Sequence, residues 1–332
     1  MILFMALLIS AGGYYSFVRT DRDLTRIGRR VTDLTTVPKL GDPHVIDSIS
    51  NDRLLASYIY PGLEGNYFAI DAHSGAKTNL SKLDAVLKRQ EGLITGGVSP
   101  DGHWLTYYQL PIGGQPEYSA VVRIDDSQVV RWKMAVKPAV PISIWSGDSK
   151  GGVVLDYSTG QISRWALSDP VLRPTGKTRI PKEVDDSLTA LGAVADGYLL
   201  HGEAQPAIPF IRLSETGEQR VIGSAPIPNN GYYRSFSLSP NRKKLLWTVE
   251  YDVAPAESAF LRRAYSWLHI RSGSFDSLWT SDLDGSNLHE VGYVLNPTRD
   301  ATGSLLQRSG WMRNGTHIWF EYDGSLWTVP AG

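Results

Sequence analysis

The chain of 332 residues contains no cysteine, and this absence excludes several kinds of chemistry. Without a thiol there is no disulfide, no thiolate metal ligand, no cysteine nucleophile and no cysteine-linked lipid anchor. An excess of charge is lacking too, because 33 basic and 34 acidic residues leave a formal net charge of -1. So small a charge attracts no polyanion over a distance. We therefore expect no nucleic-acid partner.

Motifs for cofactors and metals are also missing. No phosphate-binding glycine loop occurs, and the seven histidines have no i, i+4 pair and no clustered ligand spacing. Asp282, Asp284 and Asn287 invite a calcium interpretation, but a calcium loop needs a longer run of spaced oxygens and a late glutamate. We interpret these three residues as a polar hairpin turn, and we expect no cofactor and no metal.

One motif resembles a catalytic site by its letters alone. Gly147 to Gly151 reads GDSKG, which fits the G-x-S-x-G pattern around a nucleophilic serine. That pattern requires a strand, a sharp turn and then a helix. Here the apolar run VVLDY follows, which is typical of a strand. We predict that Ser149 lies in a hairpin turn, and we assign no catalytic residue.

What the chain has in quantity is aromatic residues and turn formers: 10 Trp, 16 Tyr, 8 Phe, 32 Gly and 19 Pro. This composition is typical of many short strands joined by tight turns. Turn signals recur, the first five of them roughly 48 residues apart: Asn51-Asp52, Asp101-Gly102, Ser149-Lys150, Asp196-Gly197, Asn241-Arg242 and Asn314-Gly315. Each precedes an apolar strand, and in most repeats a further hairpin follows. Four strands per repeat form a propeller blade.

Three segments resemble the repeats of TolB-type propellers. They are SPDGHWL from Ser99, SPN from Ser239, and LWTSDLDGSN from Leu278. The resemblance covers residues 44 to 330 and implies a six-bladed β-propeller with four-stranded antiparallel blades. It implies little about function.

The last repeat is one strand short, because SLWTVPAG ends the chain given. Residues 31 to 38 have the β-branched alternation of a strand, and closing the ring removes exposed sheet edges. We predict that this segment pairs with Leu326 to Val329. The predicted organisation is thus residues 19 to 43 as linker and ring-closing strand, and 44 to 332 as propeller.

One repeat is longer than the others, with an excess between Tyr251 and Phe275. Pro255 and the helical spacing of apolar residues after it predict a short helix there. In a propeller this insertion shares a face with the links between blades. It carries residue types that are common at interfaces, and the candidate partner-binding residues are Arg262, Arg263, Tyr265 and Trp267.

The segment from Met1 to Val18 has no charged residue and is strongly apolar in its first half. As a helix it spans roughly 27 Å, about the thickness of a hydrocarbon core. We predict a signal peptide or a transmembrane helix rather than a core helix. Several arginines follow the run and none precedes it, which by charge alone leaves the propeller in the cytoplasm. Export and a start upstream remain open, and so does the orientation.

These observations favour a non-catalytic binding or scaffolding propeller at the bacterial cell envelope, membrane-anchored or exported, with a protein or peptide partner. The alternative is a propeller hydrolase that cleaves glycans or peptides with acids in the central channel. The acids that end or follow the repeated strands are the candidates for it: Asp156, Glu203, Glu250 and Glu321. Two carboxylates about 5 to 10 Å apart in an axial pocket are the geometry that it requires. The oligomeric state is left open.

Overall fold

A computed structural model describes the following residues of the chain: 22–34, 43–58, 67–87, 93–109, 118–133, 142–156, 159–178, 189–202, 207–226, 231–251, 275–295 and 306–332. They contain two short helices, α1 (Leu24–Ile27) and α2 (Ser81–Leu87). The remaining regular structure is β-strand, arranged in six separate four-stranded sheets.

The strands follow one another in six groups along the chain. In chain order they are β1 (Arg29–Asp33), β2 (Pro43–Ser48), β3 (Arg53–Tyr58), β4 (Tyr67–Asp71), β5 (Lys77–Asn79), β6 (Leu93–Val98), β7 (Trp104–Gln109), β8 (Tyr118–Arg123), β9 (Val129–Lys133), β10 (Ile142–Trp145), β11 (Gly151–Asp156), β12 (Gln161–Ala166), β13 (Asp169–Lys177), β14 (Thr189–Val194), β15 (Gly197–His201), β16 (Ala207–Leu213), β17 (Gln219–Pro226), β18 (Gly231–Leu238), β19 (Lys244–Tyr251), β20 (Phe275–Asp282), β21 (His289–Leu295), β22 (Leu306–Trp311), β23 (His317–Tyr322) and β24 (Ser325–Pro330).

Each sheet is one antiparallel blade of a six-bladed β-propeller, which confirms the predicted fold class. Blades 1 to 5 take four consecutive strands each, beginning with β2, and blade 6 has the order β1-β24-β23-β22. The first strand of each blade faces the central channel. It turns into the second strand at what we call the lower face, and the links between blades leave at the opposite, upper face.

A repeated side-chain arrangement explains why the predicted turns form. Ser99 Oγ donates to Asp101 Oδ1 and accepts from the Trp104 amide, at 2.5 and 2.9 Å. A serine hydroxyl likewise donates to the side-chain oxygen two residues later at Ser50, Ser146 and Ser239. Such local bonds satisfy backbone groups that the turn removes from the strand ladder. All these turns lie at the lower face.

The ring is closed by the N-terminal strand, as predicted, but its position differs. We expected residues 31 to 38; β1 spans Arg29–Asp33 and pairs antiparallel with β24, from Arg29 opposite Thr328 to Asp33 opposite Ser325. Residues 35 to 38 lie outside the described residues. The strand begins two residues before the predicted start, because Arg29 and Arg30 have polar partners in the folded ring. Arg29 donates to Ala72 O and His73 O, and Arg30 donates to Ser325 Oγ at 3.0 Å.

The core consists of six apolar clusters, one at each seam between neighbouring blades. The seam between blades 2 and 3 is built from tryptophans: Trp132 stacks on Trp165 with ring centroids 4.5 Å apart, and Trp145 meets Trp165 edge-on at 4.9 Å. Flat blade faces carrying large aromatic side chains bury much area at each seam. The aromatic content of the sequence is therefore used mainly for packing between blades.

Buried carboxylates also join blades. Glu321, which is 2% exposed, accepts from the Val45 amide across the seam between blades 6 and 1. Asp276, which is 1% exposed, accepts from the Leu306 amide at 2.7 Å across the seam between blades 5 and 6. In both cases the amide belongs to the inner strand of the next blade. The acids thus attach the first half of each of these inner strands to the preceding blade.

The residues before β1 cross from blade 6 to blade 5. Asp23 caps α1 by accepting from the Thr25 amide at 2.9 Å, and Leu24 is fully buried in the seam. The Tyr293 amide donates to Arg22 O at 3.0 Å, which attaches the chain to β21, the outermost strand of blade 5. Across the described residues, neither helix is long and apolar enough to cross a membrane. The predicted N-terminal signal or anchor, residues 1 to 18, lies outside them.

Candidate functional site

The central channel widens into a cavity of about 300 Å³ near the lower face. The cavity is lined by the inner strands of all six blades and by several of the turns that follow them. We call this opening the lower mouth. Its charged side chains, among the described residues, are Asp47 from blade 1, Arg242 from blade 5 and Arg313 from blade 6.

Small residues make room for the cavity. Strand β14 of blade 4 contributes Ala190, Gly192 and Ala193 to its wall, and Gly192 has a φ of 145°, in the region that favours glycine. Blade 4 also has the shortest lower turn of the described blades, since β14 ends at Val194 and β15 starts at Gly197. On the wall formed by blade 2, a Cβ added to Gly97 would meet no atom within 4 Å. There is therefore open space beside Gly97.

Arg313 connects blade 6 to two other blades. Its Nε donates to Ser48 O at 2.8 Å and its Nη1 to Pro100 O at 2.7 Å. Its Nη2 is buried with no hydrogen-bond partner among the described residues and lies 3.9 Å from Asp47 Oδ2. With only 13% of its side chain exposed, this guanidinium is a partly desolvated cation held mainly by neutral carbonyls.

Asp47 is the carboxylate nearest to Arg313. Its Oδ1 accepts from the Ser48 amide at 2.7 Å. Enclosure by the ring raises the pKa of Asp47, although the Arg313 charge and the Ser48 amide act in the other direction. The side chain still has 37% of its surface exposed to the channel, so the raised pKa reflects a narrow, poorly hydrated space rather than a fully buried carboxyl.

Arg242 spans the lower mouth. It is the second turn residue of blade 5, with a φ of 58°, and its Nη2 donates to Gly147 O of blade 3 at 2.6 Å. The side chain therefore passes the short turn of blade 4. Desolvation lowers the pKa of Arg242, and Asp148 opposes that effect. Asp148 is itself exposed, and hydrogen bonds from Ser146 Oγ and the Lys150 amide lower its pKa.

The four candidate partner-binding residues Arg262, Arg263, Tyr265 and Trp267 lie outside the described residues, as does the helix predicted around them. The two strand ends that flank this insertion, Tyr251 and Phe275, pair with each other. They lie at the upper end of blade 5, the end from which the links between blades also leave. These flanking strand ends thus lie at the face opposite the lower mouth.

None of the described acids proposed for a hydrolase lines the cavity at the lower mouth. Glu321 is bound to the Val45 amide, and its Oε2 lies 3.4 Å from His44 Nδ1. Glu250 forms an ion pair with Arg234, and Asp156 accepts from Thr159 Oγ1 at 2.6 Å. Glu203 lies outside the described residues. Each described acid has a partner in its own blade or the next one.

Ser149 lies in a turn, as predicted. The GDSKG segment joins β10 to β11, Ser149 has a φ of 59° and is 4% exposed, and its Oγ accepts from the Asp101 amide at 2.9 Å. This hydroxyl joins blades 3 and 2 through the bond to Asp101. The G-x-S-x-G pattern here is a structural turn.

The calcium interpretation is likewise replaced by a hairpin. Asp284 accepts from both the amide and the hydroxyl of Ser286, at 2.9 and 2.6 Å, and Asp282 accepts from Asn287 Nδ2 at 2.6 Å. These oxygens are used by the turn itself. Within the described part of the chain, no group of three or more His, Asp or Glu side chains is arranged to hold a metal ion.

Sequence reasoning did not select Asp47, Arg242 or Arg313 as site residues. Two of them adjoin predicted turns, Arg242 after Asn241 and Arg313 before Asn314. The signal is the position within the repeat, because the turn after each inner strand lies at the same end of the channel. The sequence does not distinguish Arg242, which lines the cavity, from the neighbouring Lys243, which does not.

Taken together, the six radial blades, the closed ring and the axial cavity define a six-bladed β-propeller. Among solved structures, a putative TolB from Agrobacterium tumefaciens aligns over 90% of this chain and 93% of its own, with 13% identity and a TM-score of 0.47. An oligogalacturonate lyase from Vibrio parahaemolyticus aligns over 91% and 93%, with 10% identity and a TM-score of 0.49.

A protein of unknown function from Bacteroides thetaiotaomicron aligns over 94% of this chain and 74% of its own, with 10% identity and a TM-score of 0.50. No protein-family model and no curated protein matches the chain. Identities this low show the propeller fold alone. The TolB-type resemblance is thus confirmed for the architecture, and the function is argued from the site.

Proposed function

We propose that this chain is a non-catalytic propeller that binds a protein or peptide partner at the bacterial cell envelope. The observation that carries the proposal is the lower mouth, a cavity in which two arginines and one aspartate meet backbone carbonyls and aromatic walls. Such a mixture of apolar surface and a few polar groups is typical of binding sites. A hydrolase would instead need a pair of acids or an activated nucleophile.

The bonding of the acids supports binding over hydrolysis. Glu321 is 2% exposed and bonded to the Val45 amide, so using it as a general acid would break a seam between blades. Glu250 is paired with Arg234. Asp47 stands near Arg313, and in the described part of the cavity it has no second carboxylate beside it. The described lining of the lower mouth therefore lacks the carboxylate pair of a glycosidase.

The envelope location rests on the apolar segment from Met1 to Val18. If that segment is a signal or an anchor, the ring follows it directly, because Arg22 already contacts β21. Four extended residues span at most about 14 Å. Blade 5 would then be the part of the ring closest to the bilayer, and both ends of the channel would stay open to partners.

The test is site-specific crosslinking in cells that make the full chain. A photoreactive amino acid is placed at Ser143, which lines the cavity, and as a matched control at Val171, an outer-strand residue that is 55% exposed. A third probe at Trp267 samples the insertion predicted from sequence as a partner site. Cell fractions are separated into membrane, periplasm and cytoplasm before the adducts are analysed.

We expect a discrete protein or peptide adduct at Ser143 or at Trp267 that is absent at Val171, in the envelope fractions. Identical adduct patterns at all three probes would contradict a specific binding face. Recovery in the cytoplasm alone would contradict the location. Turnover of oligosaccharides or peptides that is lost in Glu321→Gln, with an unchanged melting temperature, would favour the hydrolase instead.

A further inference from the structure

We propose that the lower mouth receives the free C-terminal carboxylate of a peptide chain and that Arg242 is its receptor. The inference rests on the proposed binding function and assigns the chemistry of the group that enters the cavity. It concerns the lower face, a different part of the ring from the upper strand ends, Tyr251 and Phe275, that flank the partner site predicted from sequence.

The charges of the cavity point to an anion. Its described lining holds two guanidinium groups and one carboxylate, and that carboxylate, Asp47, is the neighbour of Arg313. Arg242 has no ion-pair partner within 4 Å among the described residues. Asp148 lies within electrostatic reach of it but is exposed and adjoins Lys150. The mouth therefore has one cation more than it has carboxylates.

The hydrogen bonding of the Arg242 guanidinium allows its present acceptor to be replaced by a ligand. The one hydrogen bond that this guanidinium forms among the described residues goes to a neutral acceptor, Gly147 O, at 2.6 Å. A hydrogen bond between a guanidinium and a carboxylate is about twice as strong as one between neutral groups and is frequently bidentate. An incoming carboxylate would thus be a better partner for this half-buried cation than the carbonyl, which can return to solvent at the exposed turn.

The size and shape of the cavity favour the end of a peptide chain as the ligand. A volume of about 300 Å³ equals roughly ten water molecules, which accommodates two or three small residues and excludes a folded domain. Trp145 and Phe236 supply apolar wall. The inner strand β14 pairs with β15 on one side, so its other edge offers backbone groups toward the channel. An extended peptide terminus fits the volume, can pack on the apolar wall and can bond to the edge of β14.

The experiment uses two pooled libraries of N-acetyl tripeptides that differ at the C-terminus, one as free acids and one as amides. The full chain is dialysed to equilibrium against each pool, and retained peptides are identified by mass. Trp145 and Trp311 line the cavity, so tryptophan fluorescence gives a second readout of binding. Glucuronate is titrated separately, since it carries a carboxylate on a sugar.

Three variants accompany the parent protein. Arg242→Gln removes the cation, and Lys243→Gln is the matched control on the exposed neighbour outside the cavity. Gly97→Leu fills the cavity where an added Cβ meets nothing within 4 Å. Its backbone does not need glycine, because its φ is outside the left-handed region. Melting temperatures check that each variant is folded.

We expect acids to be retained about tenfold more than amides, Arg242→Gln to lose about that factor, and Lys243→Gln to keep it. Gly97→Leu should abolish binding of both pools. Equal retention of acids and amides, or unchanged retention in Arg242→Gln, overturns the inference. A cavity that takes glucuronate and neither pool overturns the peptide assignment. A crosslinked partner at Ser143 together with equal retention removes this inference and leaves the proposed function standing.

Discussion

Leu24 gives the sharpest test of how the ring is held closed. The residue is 0% exposed and packs with Leu278 and Val294 in the seam between blades 5 and 6. It fits so closely that a Cβ on Gly292 would lie 2.8 Å from its Cδ2. Leu24→Ala removes three carbons from this space, and the backbone on one side limits collapse. We expect a loss of about 3 kcal/mol, within the usual range for buried leucines.

The loss is measured as a change in unfolding temperature and urea midpoint, followed by tryptophan fluorescence. For a chain of 332 residues the unfolding entropy is about 0.7 kcal/mol/K, so 3 kcal/mol lowers the melting temperature by about 4 °C. Ile27→Ala is the matched control, because Ile27 belongs to the same helix and is 40% exposed; its effect should stay below about 1 kcal/mol. Equal stability of both variants and the parent would refute docking of α1 into the seam.

Three further predictions follow from named contacts. Glu321→Ala leaves the Val45 amide without its acceptor and should cost about 1 to 3 kcal/mol in urea unfolding, while Asp169→Ala, at an exposed ion pair with Arg173, should cost less than about 1 kcal/mol; the reverse order would contradict the seam role. Arg313→Ala should lower the melting temperature more than Lys243→Ala, since it removes bonds to two other blades. The pKa of Asp47 is raised above 3.8, so protonation of this side chain stabilises the folded state. That stabilisation is complete below pH 3.8 and falls as the pH rises through the folded-state pKa. Urea titrations should therefore show the parent losing stability relative to Asp47→Asn as the pH rises, and a constant difference between the two proteins would contradict the prediction.

The repeat could be predicted because its turns and strands depend on interactions between residues close together in the sequence. A serine that bonds the side chain two residues later acts within one turn, and strand alternation acts within a few residues. The third repeat contains none of the three segments that resemble the family, yet Ser146 and Asp148 form the same bond there. The closing strand could also be predicted, because the last repeat lacked one. The first residue of this strand could not be predicted, because Arg29 donates hydrogen bonds to carbonyls of blade 1 that are distant in sequence.

The sequence by itself determined the strands, their turns, the number of blades and the need for a closing strand, because each depends on residues close together in the chain. The tertiary structure alone decided which charged groups share the channel. Arg242 reaches Gly147 across 95 positions, and Arg313 reaches Ser48 across 265. Residues this far apart in sequence become neighbours only when the ring closes and every lower turn lies around the same axis. Only that closure places two arginines and Asp47 around a single cavity.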